Sequence, residues 1–142
     1  MTINETELAT ARAAWGNGLV AISKAYDETG IDGAHDLADS LLDTLYGFEF
    51  GQILFKPTLS GGTQTFRTDK RGTLSYFIGH NPEFPKDTGF GLKSWRDVRF
   101  ETSSAFIEGD VAMWMGWVTF TDRNSNVVKA DKSFGYRRAA DG

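Results

Sequence analysis

Three short runs in this 142-residue chain set hydroxyl groups among aromatic rings. Phe55-Lys56-Pro57-Thr58 places a threonine in a turn fixed by proline. Thr73-Leu74-Ser75-Tyr76-Phe77 places a tyrosine inside an apolar run. Ser133-Phe134-Gly135-Tyr136 places a second tyrosine on the last strand-like segment. A hydroxyl both donates and accepts, so such groups can orient a water or a small oxyanion without a metal. The plainer reading is that each hydroxyl satisfies nearby backbone groups, and the runs alone leave both readings open.

Other chemistries find less support. There is no cysteine, which excludes disulfides, thiolate metal sites and cysteine nucleophiles. Two histidines cannot make a zinc site of three or four. No dinucleotide, P-loop, zinc-protease or nucleophile-elbow motif occurs. His35 reads as a helix-surface residue and His80 as a loop residue. Asp39 and Asp43 read as a solvated helix face. A net charge of -4 argues against nucleic acid as the main partner. Met1-Thr2-Ile3-Asn4-Glu5 lacks the basic and apolar regions of a leader, and no stretch approaches a membrane span, so a cytoplasmic protein without membrane attachment is expected. A chain trimmed of a leader would look the same.

The elements that must hold these hydroxyls are legible from periodicity. Asn4 and Glu7 have the spacing of a capping box. Leu8, Ala11, Trp15, Leu19, Ile22 and Tyr26 then follow at helical steps, weakened at Gly16 and Gly18. Thr29-Gly30 ends this helix, and Asp32-Gly33 opens a second carrying Ala34, Leu37, Ala38, Leu41, Leu42, Leu45 and Tyr46. Phe48 to Phe55 reads as a strand stopping before Pro57, 58–65 as a loop, and 67–79 as a short helix or irregular strand. Val98, Phe100, Thr102, Ser104 and Phe106 alternate along a strand. Glu108-Gly109-Asp110 and Asn124-Ser125-Asn126 read as turns around strands 111–121 and 127–138. Helices on one face of a curved antiparallel sheet make an α+β domain enclosing a cone-shaped pocket. Phe50, Phe77, Trp114 and Phe134 are the walls that strand alternation suggests.

Five blocks, in order, resemble one family. They are Phe55-Lys56-Pro57-Thr58, Leu74-Ser75-Tyr76-Phe77, Trp95 to Phe100, Gly109 to Gly116, and Lys132-Ser133-Phe134-Gly135-Tyr136. Together they are similar to the iota-class carbonic anhydrases, relatives of the association domain of calcium/calmodulin-dependent kinase II, over about residues 36 to 142. The resemblance implies an NTF2-like cone over residues 1–142, a homodimer, and reversible hydration of carbon dioxide to bicarbonate without metal or cofactor. It implies Thr58 and Tyr76 as catalytic residues, and Thr58, Tyr76, Tyr136 and Phe77 around the substrate. A His-His-Ser-Ser motif on a final strand belongs to the family pattern but is absent here. It is expected about ten residues beyond Gly142, so Asp141-Gly142 reads as half a hairpin. The general base is left open, because tyrosine at its ordinary pKa near 10 is a poor base.

Two rivals stand beside this reading. The fold does not fix the function. The domain could be a non-catalytic small-molecule-binding or self-association module, with Trp114, Met115, Trp117 and Phe120 forming either an interface or a pocket wall. An isomerase or cyclase on the same cone needs a pocket acid/base pair such as Asp with His or Tyr, and no Asp-His pair is placed for it.

Overall fold

The computed structural model describes residues 2–57 and 61–142. It shows a long bent helix and a short helix laid against one face of a three-stranded antiparallel sheet. α1 runs Glu5–Leu45. Its start is fixed by the capping box: Asn4 Oδ1 accepts from the Glu7 amide at 2.9 Å, and Glu7 Oε1 accepts from the Asn4 amide at 3.2 Å. The expected break at Gly30 is present, but no loop follows it. Gly30 alone leaves helical geometry, at φ 80°, and bends α1 into two arms. Gly16 faces the sheet, where an added Cβ would lie 3.1 Å from Val98 Cβ. Glycine there lets helix and sheet approach closely.

The segment expected as a strand from Phe48 to Phe55 is instead a turn of 3-10 helix, Phe48–Phe50, followed by irregular chain. Gly51 at φ 121° leaves the extended path. Phe55 forms an antiparallel bridge with Arg67, and the Ile53 amide donates to the Thr68 carbonyl at 3.1 Å. The segment 67–79 resolves as a helix, α2, Lys70–Ile78, capped by Asp69 accepting from the Gly72 amide at 3.0 Å.

The sheet is a meander of β1, Trp95–Glu108, β2, Val111–Asp122, and β3, Val127–Arg137, in the order β1-β2-β3. β1 does not keep one alternation. A bulge between Thr102 and Ser104 shifts the register by one residue. Val98 and Phe100 therefore pack inward, while Phe106 turns to the outer face and is 63% exposed.

The core lies between α1 and the inner sheet face. Trp15, Leu19, Ile22, Ala38 and Leu42 meet Trp114, Val118 and Phe120, with Phe77, Phe90 and Trp95 closing the side. Trp15 presents edges to Phe77, Phe100, Phe120 and Phe134 at centroid distances of 5.5–6.3 Å. The four residues expected as either interface or wall divide by side. Trp114 and Phe120 are buried inward, whereas Met115 and Trp117 stand on the outer face. No helix of the described residues is long and apolar enough to cross a membrane.

Candidate functional site

Tyr76 lies on α2, in a frame of rings. Phe90 stacks on it at 5.6 Å, and Phe55 and Phe77 meet it edge-on at 5.7 Å each. It lines a cavity of about 660 Å³ between the 61–67 segment, α2 and the 85–93 segment. Arg67, Asp87, Lys86 and Lys93 stand in the same wall. Burial, and then the Asp87 charge, push the Tyr76 phenol up to about 12, against a smaller opposing effect of Arg67. At neutral pH Tyr76 is therefore a neutral O–H donor and not a base.

Arg67 and Asp87 form a fully enclosed ion pair. Nη1 and Nη2 donate to the two carboxylate oxygens at 2.6 and 2.8 Å, and the side chains are 4% and 5% exposed. Arg67 also donates to the carbonyls of Gln64 and Gly72, each at 3.0 Å, and Ser75 Oγ donates to Asp87 Oδ2 at 2.6 Å. The guanidinium lies over the rings of Tyr76 and Phe84 at 5.8 and 4.8 Å.

Thr58 lies outside the described residues. Phe55, held to Arg67, and the buried Pro57 lead up to it. The other expected residues are not gathered around the cavity. Phe77 edges the Tyr76 ring but faces the core beside Trp15 and Phe55. Tyr136 is on the inner face of β3, packed beside Ile3, Leu8 and Ala112. Burial raises its phenol to about 12, and of the nearby charges Arg12 lowers it and Glu5 raises it. Trp114 and Phe134 are core residues, and Trp114 Nε1 donates to Thr102 Oγ1 at 2.7 Å. Phe50 is no wall: it is 43% exposed beneath the Arg137 guanidinium.

Three groups near these residues are not among the expected site residues. Tyr46 closes α1 and accepts from Trp15 Nε1 at 2.9 Å, and burial raises its phenol above the ordinary value. It packs against Phe55 at 5.8 Å, on the opposite arm of the ring frame from Tyr76. The Arg67–Asp87 pair is the second. Lys132 is the third: half-buried, its amine is lowered to about 8 by burial, with a smaller contribution from Lys56. His35 is exposed beside Asp36, and His80 Nδ1 lies 2.9 Å from the Ile78 carbonyl, so neither reaches the cavity. Among the described residues no group of three or more His, Cys, Asp or Glu could hold a metal ion.

A neutral phenol, a salt-bridged guanidinium and two ammonium groups around one cavity suit a small oxyanion. Comparison with known proteins points the same way. The family model described as metal-independent carbonic anhydrase matches residues 6–142. This chain belongs to that family. The match reaches back through the first arm of α1, beyond the 36–142 stretch that carried the resemblance. A metal-independent carbonic anhydrase of Nostoc sp. (strain PCC 7120) is 44% identical over 134 residues, which is 94% of this chain and 65% of that protein. The chain thus spans slightly less than two thirds of that relative's length. The crystal structure of an iota-carbonic anhydrase from a cyanobacterium, complexed with bicarbonate, superposes with a TM-score of 0.97 at 42% identity, covering 99% of this chain and 86% of that one.

Proposed function

We propose that the chain catalyses reversible hydration of carbon dioxide to bicarbonate without a resident metal, with Tyr76 as a hydrogen-bond donor to the developing oxyanion. The observation that carries this is Tyr76 itself, a phenol presented on the wall of a cavity that Lys86 and Lys93 also line. In the family's bicarbonate complex the protein binds the product of this reaction, which supports the assignment.

The work of the chain is to position and to stabilise. Water must be held beside carbon dioxide while negative charge grows on the carbon dioxide oxygens. The Tyr76 O–H donates to one oxygen, and Thr58, which follows Pro57 in the sequence, supplies a second hydroxyl. Charge developing in a partly enclosed site gains more from such donors than it would in water. Phe77 acts through Tyr76, whose ring it supports. The proton leaves to a group not yet assigned. The bent α1 laid against one face of an antiparallel sheet with a bulged strand supports reading the fold as an NTF2-like cone, and we place the protein in the cytoplasm.

Phe106, Met113, Met115 and Trp117 form an apolar outer sheet face. We propose that a second copy covers it, which keeps dimerisation away from the cavity. This face is also what favours the rival reading, a self-association module. Stopped-flow hydration of carbon dioxide by the full-length protein, before and after chelation, separates the two. Activity that survives chelation and falls in Tyr76→Phe and Thr58→Ala supports the enzyme. Full activity in both variants would remove the site assignment, and a dimer with no hydration activity would favour the module.

A further inference from the structure

The Arg67–Asp87 pair is buried and hydrogen-bonded on every side that carries its charge. Both carboxylate oxygens and three guanidinium nitrogens are engaged, and the pair ties together three separate pieces of chain. Arg67 belongs to the bridge that carries Phe55, Gly72 and Ser75 belong to α2, and Asp87 belongs to the loop after it. Tyr76 follows Ser75 directly, and the Arg67 guanidinium lies 5.8 Å from its ring. Gly72 fits the same arrangement, since an added Cβ would sit 3.1–3.3 Å from the Arg67 side chain.

We propose that Arg67 and Asp87 are positioning residues for Tyr76: together they fix the phenol on the cavity wall and set opposing charges beside it, so that it is held in place as a donor. This rests on the assignment of Tyr76 as donor. A salt bridge that only held the loop could sit anywhere along it. This one stands in the same cavity wall as the phenol, close enough that each charge acts on it, in opposite senses. A lone arginine there would make the phenol easier to ionise, and a lone aspartate would make it harder. The other groups facing Tyr76 are Lys86 and Lys93 across the cavity, and Tyr46 on the far side of Phe55. All three remain in the variants below.

The test titrates the tyrosines of the full-length protein by phenolate absorbance and measures carbon dioxide hydration against pH. Comparison of wild type with Tyr76→Phe identifies the Tyr76 transition. In Asp87→Asn the unpaired Arg67 should move that transition, and the alkaline loss of activity, to lower pH, with kcat at neutral pH reduced about tenfold. The double variant Arg67→Gln/Asp87→Asn removes both charges and keeps hydrogen-bonding side chains. It should return the transition close to its wild-type position. The double variant also guards against a single variant that fails to fold. A Tyr76 transition unmoved in Asp87→Asn, or displaced equally in the double variant, would overturn the proposal. If Tyr76→Phe keeps full activity while the transitions move as expected, the donor assignment fails and the electrostatic coupling stands.

Discussion

At the residue scale, the chemistry rests on a phenol that is kept from ionising. Removing its hydroxyl in Tyr76→Phe should lower kcat by about 10²-fold, in the range of losing one oxyanion donor, with little change in fold. The same burial predicts a pH dependence of stability. Tyr76 and Tyr136 both titrate near 12 in the folded chain, above the ordinary value of 10 given for each. A folded value above the unfolded one means that the unfolded chain gives up the proton first. Stability is therefore complete below about pH 10 and lost as pH rises toward 12, which denaturant midpoints at graded pH would show. Arg67→Gln leaves Asp87 buried without its partner and should cost about 3–5 kcal/mol, whereas the double variant with Asp87→Asn should recover part of that. Tyr76 is legible in the sequence because a hydroxyl amid apolar neighbours stands out. The Arg67–Asp87 pair is not, because its members lie 20 residues apart in segments without periodicity. Tyr46 reads as one more helix-stripe residue until Trp15 is seen donating to it.

At the element scale, local signals carried the ends of elements better than their middles. The Asn4–Glu7 box and the turns at Gly109 and 124–126 are short-range patterns, and each is found where its residues place it. The Thr102/Ser104 bulge is a single extra residue, invisible to an alternating pattern that looks unbroken in sequence. It decides that Phe106 joins the outer face. The 48–55 run has strand composition but no neighbouring strand, and Gly51 turns it away. Gly30 makes the helix boundary a hinge point without a loop. An alanine there meets no other atom within 4 Å, so its cost is backbone strain alone. Gly30→Ala should destabilise by about 1–2 kcal/mol, read as a lowered denaturant midpoint with unchanged slope.

At the scale of the whole molecule, the inner sheet face is filled by α1, the cavity opens beside α2, and the outer face is left apolar. The class of fold was readable from the order of helical and strand periods. The sidedness of the sheet was not, since it depends on the bulge and on which face the helix covers. A charge on the outer face, as in Met115→Lys or Trp117→Lys, should reduce the proposed dimer to a monomer by size-exclusion chromatography while leaving the Tyr76 cavity intact. The central claim, metal-free hydration through Tyr76, is tested most directly by exchange of ¹⁸O between carbon dioxide and water. The full-length protein, freed of metal by chelation, should catalyse exchange at its undiminished rate, and Tyr76→Phe under the same conditions should lose about 99% of it. Exchange that disappears on chelation and returns with added metal, or that survives undiminished in Tyr76→Phe, would contradict the claim.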